Sequence, residues 1–451
     1  MATGSESKKQ SPLETLNEAL ESGTFVSVRR MLNELPAPDI ADLLESSPPK
    51  YRAILWRLLD LERGGQVLQD LTDDVQSEFV RAMNPEALAR TLEGLQPDDV
   101  ADILQHLPDQ VMREVLQSMD VQNRRRVESI LPYAEDTAGG LMNVDTVTVR
   151  PDLTLEVVLR YLRSFKEIPE MTDSIYVVNR RNILLGRLPL GKLLTSDPAL
   201  TVREVMISDV QHIDAETPDS EVASLFEKFD WVSAPVVDRA GQLLGRITID
   251  DVVDVIREDA DHSLMSMAGL EQDEDTFASV RKATPRRAIW LGINLMAVFI
   301  SANVINMFEG TIRQVVALAI LLPIVASMGG VAGSQTLTIT IRGMALGQIE
   351  KQNALWLFHR ELAVATLNGA LWATIAGSLA MWWFHDTTIG WVLAVAMIVN
   401  LAVGATCGVL IPITLKKMNI DPALAGGMAL TTMTDAVGFF TFLGLATLAY
   451  S

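Results

Sequence analysis

Five long apolar segments, at about 289–308, 315–341, 362–384, 390–414 and 423–449, fill the C-terminal part of the chain. Each is long enough to cross the ~30 Å hydrocarbon layer as a helix. Inside a bilayer only helices and closed barrels satisfy every backbone N–H and C=O. The pattern therefore predicts an all-α, five-helix transmembrane domain over 288–451, with the lipid bilayer as an obligatory partner.

Charge divides at the same boundary. Of 37 Lys and Arg and 57 Asp and Glu, only 6 of each lie in 288–451, so the whole net charge of −20 belongs to the first 287 residues. An acidic half of this kind argues against nucleic acid and anionic lipid as partners and favours cations. The opening MATGSESKKQSP is polar with no apolar run behind it, so no cleavable secretory signal is expected. A single cysteine, Cys407, rules out an internal disulfide, and the five histidines show no zinc-like spacing. Arg281, Lys282, Arg286, Arg287, Arg342, Lys351, Arg360, Lys416 and Lys417 flank one side of the spans, against Arg313 alone on the other. The positive-inside rule then places the protein in the cell membrane with its N-terminal half cytoplasmic and its C-terminus outside.

The acidic half changes character along its length. Residues 13–135 read as short helices punctuated by Pro and Gly, and they repeat. DIADLLESSPPKYRAILWRLLD (39–60) aligns without a gap to DVADILQHLPDQVMREVLQSMD (99–120), matching Asp39 with Asp99, Ala41 with Ala101 and Pro48 with Pro108. An all-α helical-repeat domain is predicted over 1–136. From 137 to 262, β-branched runs (TVTV, SIYVV, SAPVVD, LLGRIT) alternate with amphipathic helices in two copies, 137–200 and 201–262. This α/β pattern resembles a tandem CBS pair, a regulatory module that often binds adenine nucleotides. The nucleotide motif of such modules, Gly-x-x-Thr-x-x-Asp, matches Gly245, Thr248 and Asp251, whereas the first copy has Pro189 and Lys192 in the last two places. ATP or another adenine nucleotide is thus one candidate ligand. Residues 263–287 read as a connecting helix ending near Pro285.

Three groups of residues carry candidate chemistry. Asp435 is the only ionisable side chain in 429–449, and a lone charge at mid-membrane depth costs about 2.5–3.5 kcal/mol on insertion scales. Gly427, Thr431, Asp435 and Gly438, spaced 4, 4 and 3, form a small, hydroxylated stripe suited to a wet path. One carboxylate holds a divalent ion poorly, but a two-fold homodimer supplies a second, and a pair suits a hydrated Mg²⁺. In the second span, Pro323 and Gly329, Gly330 and Gly333 either open the helix to expose carbonyls or form a Gly-x-x-x-Gly packing seam. Asn400, Gly404 and Gly408 read as a packing stripe. Last, Asp250, Asp254 and Glu258 recur at helical spacing beside Asp251, Asp259 and Asp261, and EQDED (271–275) follows. Like charges so placed oppose a helix unless cations neutralise them, the alternative being a solvated face.

Together these residues resemble the MgtE family of magnesium channels and transporters over nearly the whole chain. The most specific matches are the glycine tract of the second span and DPALAGGMALTTMTDAVGF (421–439). The resemblance implies a homodimer conducting Mg²⁺ along its two-fold axis, with Asp435 as the pore aspartate and Asp421 at the cytoplasmic mouth. It also implies that Mg²⁺ on the acidic surfaces closes the pore. Two positions depart from the family pattern. Val331 stands where the tract usually has Asn, and Gly427-Met428 where the last span usually has Asn-Pro. The competing expectation is a membrane-anchored CBS sensor of cations or nucleotides that transports nothing. An aspartyl protease would need a second deep aspartate. No enzymatic activity is expected.

Overall fold

The computed structural model describes residues 25–270, 274–349 and 352–451. Residues 13–24 of the expected helical stretch, residues 271–273 of the EQDED run and Lys351 lie outside them. Two compact units form, Met1–Ala260 with Asp273–Ser279, and Asp261–Gln272 with Val280–Ser451.

The first unit opens with short helices: α1 Val26–Glu34, α2 Ala37–Glu45, α3 Pro49–Leu58, α4 Leu61–Gln69, α5 Asp73–Ala82, α6 Pro85–Thr91, α7 Pro97–Gln105, α8 Asp109–Ser118 and α9 Val121–Ile130. Proline stands at the starts of α2, α3, α6, α7 and α8, because its fixed φ suits the first turn and its missing N–H is no loss there. The repeat is real in three dimensions. α2 and α3 correspond to α7 and α8, Pro48 and Pro108 stand at the same N-cap, and Ala41/Ala101, Leu44/Leu104 and Leu55/Val115 are all buried.

One side chain in this unit departs from the repeat. Arg52, whose counterpart is Met112, is fully buried and donates two bonds to Asp275, at 2.6 and 2.7 Å, and one to the Leu44 carbonyl at 2.8 Å. Asp275 of the acidic run is therefore engaged by an arginine. Stranding one partner of a buried pair costs about 3–5 kcal/mol. Arg52→Met should destabilise the first unit by about that much, read as lower denaturant tolerance by far-UV circular dichroism.

The two α/β copies follow. β1 Thr148–Val149, α10 Leu155–Leu162, β2 Ser174–Val178, β3 Leu184–Pro189 and α11 Leu190–Thr195 form the first. After α12 Val202–Val205, β4 Ile213–Asp214, α13 Asp219–Phe229, β5 Ser233–Val237, β6 Leu243–Thr248 and α14 Ile249–Met267 form the second. In each, the first strand pairs parallel to the second and the second antiparallel to the third, with a register shift at Val177/Val178 and again at Val236/Val237. The copies join through reciprocal bonds, Leu184 N–H to Gly241 O at 3.0 Å and Leu243 N–H to Asn182 O at 2.9 Å. Residues of α1–α9 and of the second copy share one hydrophobic core, which includes Leu104, Val127, Phe226 and Ile247.

The connection differs from the sequence expectation. No single helix spans 263–287: α14 carries on to Met267 and closes on Gly269, at φ +72°, with the Leu270 N–H reaching the Met265 carbonyl. This is the left-handed glycine cap that ends many helices. A new helix, α15 Val280–Met307, then runs through Pro285 into the first span. Pro285 sits in its first two turns, where its ring leaves one carbonyl of the turn before without a helical donor.

α15 is followed by the short α16 Glu309–Gln314 and by α17 Ala317–Ala345, α18 Ala354–Phe384, α19 Thr387–Lys417 and α20 Pro422–Tyr450. α15, α17, α18, α19 and α20 are each long and apolar enough to span a membrane. α19 is central, packed along α17, α18 and α20, while α15 leans on α20. Thr311 meets Thr447 at 2.7 Å and Tyr450 donates to Asp386, gathering the first and third connections and the C-terminus at one end.

Candidate cation sites

Small residues let the membrane helices approach closely. A Cβ at Gly404 would lie 2.6 Å from the Gly329 carbonyl, and one at Gly408 would lie 2.8 Å from that of Gly333. α17 is continuous through Pro323 and its glycines, and Gly329 and Gly333 serve as a packing seam against α19. Asn400, fully buried, donates to the Val325 carbonyl at 2.8 Å and fills the space beside Gly329 and Gly438. Gly404→Val should therefore lower the detergent-solubilised melting temperature, by overpacking worth about 1–3 kcal/mol. Gly330→Ala should not, since its Cβ would meet nothing within 4 Å.

The face of α20 that matters lies beside this seam. Leu430, Thr434, Gly438 and Phe442 are buried, while Gly427, Thr431 and Asp435 sit on a flank that the single chain covers only in part. Gly438 falls on the same face, between Gly427 and Thr431 at about 100° per residue, but it is buried because the Asn400 side chain of α19 covers it, 2.7 Å from where its Cβ would be. A Cβ at Gly427 would meet nothing within 4 Å, and Asp435 makes no hydrogen bond or ion pair with any described residue. Val331 is also outward-facing, 54% exposed.

Asp421 caps α20: its Oδ1 accepts from the Ala423 N–H at 2.9 Å and its Oδ2 from the Leu424 N–H at 3.3 Å. The same Oδ2 lies 3.3 Å from His262 Nε2. Its carboxylate therefore anchors the start of the last span. A further acid, Glu361 at the start of α18, is buried, accepts from Thr336 Oγ1 at 3.1 Å and pairs with Arg360 at 2.5 Å.

In the first unit, α7 and the start of α14 bring carboxylates together. Asp98, Asp99 and Asp102 face Asp250 and Asp251, and Oδ atoms of Asp98, Asp99, Asp102 and Asp250 are shielded from solvent with no hydrogen-bond partner. Burial first, then Asp251, raises Asp99 to about 7. Burial and Asp250 raise Asp251 to about 6. Asp98 and Asp102 are held well above the usual carboxylate range by burial, helped by Asp251 and Glu135 respectively. Unpaired buried acceptors of this kind suit hard cations, which take oxygen ligands. Asp254, Glu258 and Asp259 line the exposed continuation of α14.

Thr248 Oγ1 donates to Asp251 Oδ2 at 3.0 Å, and a Cβ at Gly245 would lie 2.7 Å from the Asn143 carbonyl. The Gly-x-x-Thr-x-x-Asp residues thus shape the turn into α14, and Asp251 belongs to the acidic pocket. A polyphosphate placed against that pocket would meet like charge.

Comparison with known proteins follows this layout. Family models match residues 322–445 (MgtE, divalent cation transporter), 35–136 (MgtE intracellular N domain) and 202–258 (CBS domain). The magnesium transporter MgtE of Bacillus subtilis (strain 168) is 31% identical over 428 residues, covering 95% of either chain. The chain belongs to the MgtE family of magnesium transporters. MgtE of Thermus thermophilus is 29% identical, over 96% of this chain and 97% of that one. A crystallised cytosolic domain of the Mg²⁺ channel MgtE, in complex with ATP, is 36% identical and gives a TM-score of 0.49, over 54% of this chain and 99% of that one.

Within this MgtE-family chain, Asp98, Asp99 and Asp102 were not singled out as site residues by the α14 pattern. A signal was there: PDDVAD in α7 carries one acid more than the matching APDIAD in α2. Glu361 was hidden beside Arg360, which reads as the hydrophilic edge of a span.

Proposed function

We propose that the chain conducts Mg²⁺ across the cell membrane along the two-fold axis of a homodimer. One observation carries this reading: Asp435 lies on an incompletely covered flank of a membrane helix with no partner in its own chain among the described residues. A second copy related by two-fold symmetry would bring its own Asp435 to the same axis, and two carboxylates balance one hydrated dication. Thr431 and Gly427 leave polar, open space beside them.

Residues 1–262 act as the sensor and 288–451 as the pore, with the N-terminal half cytoplasmic and the C-terminus outside. The basic residues support this sidedness, and so does the gathering of Thr447 and Tyr450 with the connections that carry few of them. When Mg²⁺ is scarce, repulsion among Asp98, Asp99, Asp102, Asp250 and Asp251 loosens α7 from α14. When it is plentiful, bound ions draw them together and closure follows. Asp254, Glu258 and Asp259 extend that surface, and Asp421 couples to the mouth.

The test is Mg²⁺ uptake into vesicles holding the purified protein, at low and high Mg²⁺ on the cytoplasmic face. Uptake that stops at high Mg²⁺, and no longer stops once residues 1–262 are removed, is the expected result. Absence of uptake at low Mg²⁺ would instead favour a sensor without transport, and unchanged closure in the truncated chain would refute the sensor role.

A further inference from the structure

Apart from the oxygen-lined pocket, the N-terminal helices bring together a cluster of different chemistry. Asp73 is the first residue of α5, His106 is the C-cap of α7, and Glu135 lies in the segment leading from α9 to the first sheet. His106 Nε2 is 3.5 Å from Asp73 Oδ2 and 3.5 Å from Glu135 Oε2. One ligand atom from each of the three residues lies within 4.8 Å of those of the other two. The nearest point equidistant from three atoms so spaced is about 1.9–2.4 Å from each, a range that includes Zn–N and Zn–O bond lengths.

The surroundings prepare the imidazole for that role. His106 Nδ1 is 3.0 Å from the Asp102 carbonyl oxygen, so Nδ1–H donates to it and Nε2 is the nitrogen that faces the carboxylates. Metal-binding histidines are oriented in this way by a bond from their other nitrogen. The Glu135 segment is tied to the end of α7 by the Gln105 side chain, which donates to the Tyr133 carbonyl at 3.1 Å. A second observation lies one turn away on α7. Asp102, on the same face of α7 one turn before His106, has a solvent-shielded Oδ1 with no hydrogen-bond partner, and Glu135 is the charge that bears on it most.

We propose that Asp73, His106 and Glu135 form a binding site for a borderline-soft transition-metal dication of the Zn²⁺ class. Two carboxylates and an imidazole suit such ions, whereas Mg²⁺ takes oxygen ligands and keeps its waters. Because the ligands come from α5, from α7 and from the segment entering the first sheet, the bound ion staples the helical repeats to the start of the α/β copies. It also places positive charge beside Asp102, at the edge of the Mg²⁺ pocket.

The experiment titrates Zn²⁺ alone into the purified full-length protein, against a chromophoric chelator and in a large excess of Mg²⁺. The wild type is expected to take one tight Zn²⁺ equivalent per chain that Mg²⁺ does not displace. His106→Gln and Glu135→Gln should each weaken it by at least about tenfold, and His262→Gln should leave it unchanged. Co²⁺ in place of Zn²⁺ should give a visible absorption band in the wild type that His106→Gln lacks. All three residues are partly exposed, so the variants should retain the wild-type far-UV circular dichroism. Displacement by Mg²⁺, equal affinity in the well-folded Glu135→Gln variant, or loss of the tight equivalent in His262→Gln would overturn the proposal.

Discussion

Asp435→Ala should reduce Mg²⁺ uptake by roughly a hundredfold while leaving the fold intact. Keeping a carboxylate at mid-membrane depth costs about 2.5–3.5 kcal/mol, and an ion path that uses this charge loses a comparable stabilisation of the cation when it is removed. At about 1.4 kcal/mol per tenfold, that is some two orders of magnitude. Asp435→Asn separates charge from size: it keeps the shape and polarity of the side chain and should lose nearly as much uptake. Both variants should melt no lower than the wild type in Mg²⁺-free detergent, since neither breaks a described contact and both remove an unpaired charge. Uptake in Asp435→Asn within a few-fold of wild type would show that the charge is not what carries the ion.

In Mg²⁺-free buffer, stability of the first unit should fall as pH rises from about 4 to above 7, and Mg²⁺ should abolish the fall. The sign follows from the direction of the shifts. Asp99 at about 7 and Asp251 at about 6, with Asp98 and Asp102 also raised, bind protons in the folded state that the unfolded chain, at 3.8, has already released. The folded state therefore holds more protons through this window, and each added pH unit lowers stability. Per group the slope approaches about 1.4 kcal/mol per unit where only the folded form is protonated. Several such groups make the loss a large share of a typical folding free energy. The readout is hydrogen exchange of α7 and α14 amides in the full-length protein at several pH values, with and without Mg²⁺. Asp99→Asn should flatten the profile, because its side chain stays neutral across the range. Stability that rises with pH would contradict the buried-acid pocket.

Much of this was legible without coordinates because it is local. Apolar runs of membrane length, the helical repeat and the duplicated strand pattern each depend on residues a few positions apart, and all are found in the fold. The same locality fell short in three places. Gly438 shares a face with Asp435 but is buried beneath Asn400 of α19, Pro285 was expected near the end of a helix and lies near the start of one, and Pro323 with its glycines left both a break and a packing seam open. Neighbouring helices and the position within a turn decided these points.

The sites divide along the same line. From the sequence came the identity of the membrane carboxylate and the need to compensate it, because a charge in a long apolar helix is costly until something around it offsets the cost. Tertiary structure alone decided that Asp98, Asp99 and Asp102 lie against Asp250 and Asp251, that Asp275 is taken by Arg52, and that His106 meets Asp73 and Glu135. These residues are far apart along the chain, and helical periodicity says which face a residue occupies but not which other face it will meet. That choice is made when the repeats and the α/β copies bury one common core, and the acids on the rims of that core become neighbours as a result.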